Sequence, residues 1–191
     1  MMDNMKQIIG KQFPNLIIMV GPSGAGKSTV AAKTGLPIVS TDVIRTNLFG
    51  LKNGKIALEA YTSEGFRDTF NAAKSIVDGY LMGGQSVVYD ATNLSKTDRI
   101  GFLKYFYLDP QFSEDLRIKA NVYYWIVDRP LEEKLAYFNV ANLLGDQPVT
   151  HTNEDIIRRH HDKMKSTLAD ALNGDGLGFV TVRDLRNVSG N

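Results

Sequence analysis

The side chains best equipped for chemistry stand close together near the start of the chain, in Gly21-Pro-Ser-Gly-Ala-Gly-Lys-Ser28. This stretch fits the pattern G-x-x-x-x-G-K-S/T. It follows the apolar run Leu16 to Val20 and precedes Thr29-Val-Ala-Ala-Lys33, a good helix start, so the pattern has its required strand-to-helix context. Gly21, Gly24 and Gly26 let the backbone N–H groups of Ser23, Ala25 and their neighbours turn inward around a phosphate. Lys27 reaches β and γ phosphates, Ser28 is a hydroxyl ligand for Mg²⁺, and Thr29 continues the loop into the helix. A dinucleotide fingerprint fails here, because it requires a third glycine where Thr29 stands.

Two carboxylates follow at the ends of later apolar runs. In Pro37-Ile-Val-Ser-Thr-Asp-Val-Ile-Arg45, Asp42 comes just after a short strand pattern and shares a helix face with Arg45, three residues on. Two readings stay open: a first-turn acid favoured by the helix dipole, or a carboxylate that orients an acceptor hydroxyl and takes its proton late in phosphoryl transfer. Val87-Val-Tyr-Asp-Ala-Thr-Asn93 closes an apolar strand on Asp90, the arrangement that serves Mg²⁺ in phosphate-loop enzymes. No glutamate follows Asp90, which favours transfer to a bound acceptor over hydrolysis. Thr92 and Asn93 either cap the next helix or touch substrate.

These groups need a scaffold that gathers strand ends on one edge. Leu16 to Val20, Pro37 to Val39, Val87 to Tyr89, Val122 to Val127 and Phe179 to Val182 are continuously apolar, as strands covered on both faces are. Helical stripes alternate with them: Phe66, Phe70, Ala73, Val77 and Leu81; Ile100, Leu103 and Tyr107; Leu131, Leu135 and Phe138; Ile157, His161, Met164 and Leu168. The expected fold is therefore α/β, a doubly wound parallel sheet of about five strands with helices on both faces, whose ligands sit beyond the carboxyl ends of the strands. Leu81-Met-Gly-Gly-Gln85 reads as a glycine-assisted helix stop, and Met1 to Pro14 as a loosely tied terminus.

Composition narrows the partners. The 191 residues suit one domain, 1–191, and 43% of them are hydrophobic, enough for a folded core. Lys plus Arg number 22 against 21 Asp plus Glu, so any polyanion must be held by a local cluster of charge. With no cysteine there is no disulfide partner, thiolate metal site or thiol catalysis. The longest apolar run is far below the ~20 residues of a membrane span, and a cytoplasmic setting with no membrane partner is expected. The three histidines lack a metal-binding arrangement: His160 and His161 point about 100° apart on a helix, His161 lies on the apolar stripe, and His151 stands in a loop.

Taken together, the phosphate loop, Ser-Thr-Asp-Val-Ile-Arg from Ser40 to Arg45, and Asp-Ala-Thr-Asn from Asp90 to Asn93 with Arg99 six residues on resemble the polynucleotide 5′-hydroxyl kinase family. The likeness extends through Ala73 to Ile76, Val127 to Glu133 and Asp155 to Arg159. It implies a phosphate-loop kinase fold that uses ATP and Mg²⁺ and moves the γ-phosphate to a nucleic-acid 5′ end. Lys27, Asp42 and Arg45 would be catalytic, with Asp42 the general base. Ser28 and Asp90 would hold the metal, and Asp42, Arg45, Thr92, Asn93 and Arg99 would meet the acceptor. The lid expected over 136–155 departs from the family, because Leu135 to Ile157 contains no Lys or Arg. Arg129 and Arg158 are candidates to supply that charge to ATP, with Lys134 and Arg159 as alternatives. A kinase of a small alcohol and an ATP-holding regulatory module remain the competing readings.

Overall fold

The computed structural model describes residues 13–107, 120–144 and 149–186. Five parallel strands form the central sheet in the order β2-β5-β1-β6-β7. They are β1 (Asn15–Val20), β2 (Ile38–Ser40), β5 (Val87–Asp90), β6 (Asn121–Ile126) and β7 (Val180–Asp184). All five expected strands are present. β1 is at the centre because both its faces are apolar: Leu16, Ile18 and Val20 enter one core, while Ile17 and Met19 enter the core on the opposite face. Ile18 lies beside Tyr89 on one side and Tyr124 on the other, and Ser40 lies beside Asp90. That register brings the ends of β1, β2 and β5 to one edge.

Helices cover the sheet. They are α1 (Lys27–Ala32), α2 (Thr41–Phe49), α3 (Ser63–Met82), α4 (Lys96–Tyr107), α5 (Leu131–Leu143) and α6 (Glu154–Leu172). α3 starts where the Thr62 hydroxyl accepts from the Gly65 N–H and stops at Gly83 and Gly84, as its Gly-Gly pair indicates. It buries Thr69, Ala73, Val77 and Leu81, one every four residues. α6 begins with the Asn153 side chain accepting from the Ile156 N–H and buries Ile157, His161 and Met164.

Three helix faces differ from the expected stripes. Phe66 is 48% exposed and stands at the mouth of the cleft described below, outside the core. α4 buries Phe102, Leu103 and Phe106, a stripe that includes Arg99 at i, i+3, i+4 and i+7. α5 buries Lys134 completely, leaving Leu131, Leu135 and Phe138 only partly covered. A small hairpin, β3 (Leu51–Lys52) with β4 (Lys55–Ile56), was absent from the sequence expectations. Its Asn53-Gly54 turn has positive φ at both residues, the signature of a tight hairpin. The terminus before Phe13 and residues 145–148 of the expected lid lie outside the described residues. No described helix is long and apolar enough to cross a membrane.

Candidate active site

The turn from β1 into α1 is shaped by contacts that exclude larger residues. A Cβ on Gly21 would collide with the Val127 carbonyl oxygen, so only glycine lets the loop leave β1 against the end of β6. Gly26 has φ +90°, a conformation in which a side chain is strained. The Gly21 N–H donates to the Thr92 carbonyl at 3.0 Å, tying the loop to the segment after β5. Thr92 itself faces the cleft.

Lys27 folds back so that Nζ donates to the Pro22 carbonyl at 2.9 Å. Burial pulls its pKa below the ordinary lysine value, while the carboxylates of Asp90, Asp42 and Asp128 oppose that shift. Ser28 Oγ donates to Asp90 Oδ2 at 2.7 Å. A hydroxyl and a carboxylate side by side are hard oxygen donors. Among the described residues no group of three or more Asp, Glu, His or Cys could hold a metal by itself. That donor set fits Mg²⁺, which takes few protein ligands and completes its shell with phosphate and water.

Across the cleft, Asp42 Oδ1 accepts from Arg45 Nη1 at 2.9 Å, and Oδ2 has no partner among the described residues. The Arg45 side chain is 14% exposed against 50% for Asp42, and its guanidinium lies 5.5 Å from the Tyr61 ring centre and 5.3 Å from that of Phe66. Arg45 Nε and the Tyr61 hydroxyl are buried without a hydrogen-bond partner among the described residues. His151 closes this corner: its ring meets Tyr61 edge-on at 5.3 Å and Nε2 donates to the Ile56 carbonyl at 2.8 Å. The Ile56 N–H in turn donates to the Val149 carbonyl, so the hairpin pins residues 149–151 beside Tyr61.

On the third side, Arg129 Nε donates to the Ala25 carbonyl at 3.3 Å and its guanidinium packs against Gly26, which places this arginine at the phosphate loop. Arg158 does not. It is exposed on α6, 3.7 Å from Glu154, whereas Arg159 borders the cleft. Lys134 is buried behind Gly24, donating to Asp128 Oδ1 at 2.7 Å and to His161 Nδ1 at 2.8 Å. Lysine only donates, so His161 accepts and is neutral. Burial first, then the Lys134 charge, lowers its pKa in agreement.

Of the residues expected at the acceptor, Arg99 has structural partners instead, whereas Asn93 has one and also borders the cleft. Arg99 is wholly buried, doubly bonded to Asp175 at 2.7 and 2.8 Å and donating to the carbonyls of Asn93 and Leu94. Asn93, 5% exposed with φ 47°, donates its amide to the Met19 carbonyl at 2.8 Å. Both hold the segment after β5 in place. His160, passed over in the sequence apart from metal binding, borders the cleft with Nδ1 3.0 Å from Ser23 Oγ. Tyr61 and Phe66 were also missed as cleft residues. The one sequence signal for that corner was the Asn53-Gly54 turn.

A family model described as an AAA domain matches residues 16–111, half of the chain and the part that carries the phosphate loop, Asp42, Arg45 and Asp90. The chain belongs to that AAA domain family. No curated protein matches it. Among solved structures it is similar to a chain of the Pnkp1/Rnl/Hen1 RNA repair complex, with TM-score 0.61 and 21% identity, covering 89% of this chain and 48% of that one. A gluconokinase from Sinorhizobium meliloti 1021 follows at TM-score 0.51 and 14% identity, covering 95% and 86%. The PezAT toxin–antitoxin system of Streptococcus pneumoniae gives TM-score 0.52 and 16% identity, covering 96% and 75%. This AAA domain protein has the phosphate-loop kinase fold expected of it, and it spans about half the length of the RNA repair chain.

Proposed function

We propose that the chain is an ATP- and Mg²⁺-dependent phosphotransferase that moves the γ-phosphate of ATP to the 5′-hydroxyl of a DNA or RNA end. The observation that carries this reading is the meeting, in one cleft of about 1380 Å³, of the phosphate loop with Lys27, the Ser28–Asp90 pair and the Asp42–Arg45 pair. Binding needs the first, the metal the second and an acceptor hydroxyl the third.

The loop's N–H groups and Lys27 hold the phosphates, with Arg129 beside them. Ser28 and Asp90 would hold Mg²⁺, which would supply positive charge to the phosphates. Asp42 Oδ2, without a partner among the described residues while Arg45 fixes Oδ1, accepts the proton of the acceptor hydroxyl as its oxygen bonds to the γ-phosphorus. The bond from that phosphorus to the β–γ bridging oxygen breaks, and ADP leaves. The described parts of the lid region, 136–144 and 149–155, cover the cleft, with Tyr137, Phe138 and Ala141 on its lining.

For the acceptor, Tyr61 and Phe66 line the cleft beside Arg45, aromatic side chains of the kind on which a terminal base stacks whatever its identity. The Arg45 guanidinium next to them, on the lining of the cleft, suits a phosphate oxygen. Among the described residues the cleft is bordered by Lys27, Arg45, Arg67, Arg129, Arg159 and Lys163 against Asp42, Asp90 and Asp98, an excess of cations in a molecule of net charge +1. The likeness to an RNA repair complex agrees with such an acceptor. A small alcohol is the second reading, favoured by the uncharged wall of Tyr137, Phe138 and Ala141.

The test is to offer γ-labelled ATP and Mg²⁺ with 5′-hydroxyl DNA and RNA oligonucleotides, nucleosides and sugar alcohols. Label on an oligonucleotide 5′ end supports the proposal. Label only on a small alcohol supports the second reading, and binding of ATP with no transfer to any of them contradicts both.

A further inference from the structure

The α5 wall of the cleft offers no cation to a terminal phosphate, since its contributions are Tyr137, Phe138 and Ala141. The charge that develops on a transferring phosphoryl group still needs donors aimed at it. α6 brings Arg159, His160 and Lys163 to the same cleft, and of these only His160 bonds to the phosphate loop, at Ser23.

We propose that His160 contacts the terminal phosphate of ATP, donating from Nε2 while its Nδ1 accepts from the Ser23 hydroxyl. The inference rests on the phosphotransferase reading and adds a residue to its nucleotide subsite.

Three observations support it. The first is position: His160 is bonded to Ser23 and close enough to Lys27 to feel its charge, and Lys27 in this motif reaches the β and γ phosphates. The second is protonation. Burial above all, then the charges of Lys27 and Arg159, holds the imidazole below its ordinary pKa, so the ring is neutral at pH 7 and has one donor and one acceptor nitrogen. A serine hydroxyl turns to suit either tautomer. If Nδ1 donated to Ser23, a lone pair on Nε2 would be left toward an anion, which repels it. If Ser23 donates, Nε2 carries the proton and binds the anion. A phosphate in the cleft therefore selects the second tautomer. The third is rigidity. The next residue, His161, is fixed by buried Lys134, and α6 is capped by Asn153, so His160 stands on an anchored turn of helix.

The ring nitrogens separate these roles experimentally. Asparagine places its amide near the position of Nδ1 and keeps the Ser23 bond; glutamine places its amide near Nε2 and keeps the donor toward the phosphate. Affinities for a non-hydrolysable ATP analogue and for ADP, both with Mg²⁺, are measured by calorimetry on the wild type, His160→Asn and His160→Gln. In His160→Asn, analogue binding is expected to weaken about tenfold more than ADP binding, the loss of one hydrogen bond to a charged group. His160→Gln should preserve the wild-type ratio within about threefold, a loss smaller than one such bond. ADP binding by each variant reports that it has folded. An unchanged analogue-to-ADP ratio in His160→Asn, or an equal weakening of both nucleotides, overturns the assignment of His160 while leaving the phosphotransferase reading intact. A wild type that binds neither nucleotide overturns that reading itself.

Discussion

At the scale of single residues, identical chemistry serves different ends according to burial. Asp42 keeps half its side chain exposed with one oxygen free of partners among the described residues, whereas Asp175 is fully covered and uses both oxygens on Arg99, with the Tyr124 hydroxyl also donating to it at 3.0 Å. The buried pair joins α4 to the Gly174–Gly176 turn before β7. Removing one member strands a charge, so Arg99→Ala should lower unfolding free energy by about 3–5 kcal/mol in urea titration. Folded Arg99→Ala should keep the wild-type KM for the acceptor; unchanged stability with a raised acceptor KM would return Arg99 to the substrate. The phosphate loop, Asp42, Arg45 and Asp90 were legible because their spacing follows strand ends. Arg99 was misread because a charged residue in a helix gives no sign, in one sequence, of being the one that the core encloses.

At the scale of elements, the five strands could be read because continuous apolar runs have few other uses, while helix phase was harder. A buried arginine in α4 and a buried lysine in α5 each occupy a position that polarity assigns to the surface. The aromatic corner around Tyr61 depends on the hairpin reaching residues 149–151, a long-range contact with only a two-residue turn to announce it. Gly54, at φ +72°, has open space around it but an unfavourable backbone for any side chain. Gly54→Val should therefore cost about 1–2 kcal/mol in folding stability and raise acceptor KM through His151, with nucleotide affinity unchanged. A second effect concerns α5 and α6, joined through Lys134 and neutral His161. Unfolded histidine titrates near 6.5 and folded His161 below that, so as pH falls beneath 6.5 the unfolded chain binds more protons and stability declines. His160 shifts in the same direction and adds to the slope. The thermal midpoint should fall between pH 7 and pH 5.5, and fall less in His161→Asn, which keeps an acceptor for Lys134. A flat profile would mean that neither ring is held neutral.

At the scale of the whole molecule, near-zero net charge coexists with a cleft that, among the described residues, collects six Lys and Arg against three Asp. Nothing in the composition revealed that distribution, since it arises only when α2, α3, α6 and the loop after β6 converge on one sheet edge. Such a cleft attracts a strand end without a basic face along a duplex. If two or three phosphates are held, the logarithm of oligonucleotide affinity should fall with the logarithm of salt concentration at a slope of roughly −1.5 to −2. A slope near zero would favour a small neutral acceptor. The fold itself followed from alternating strands and helices, but the acceptor depends on side chains brought together from distant segments.

The most direct measurement is single-turnover transfer of label from γ-labelled ATP to a 5′-hydroxyl oligonucleotide, comparing the wild type with Asp42→Asn at saturating nucleotide. The wild type should label the 5′ end, Asp42→Asn should do so about 10²–10⁴-fold more slowly, and both should bind ATP equally. Equal transfer rates would remove Asp42 from the chemistry, and ATP binding with no transfer by the wild type would contradict the account at its centre.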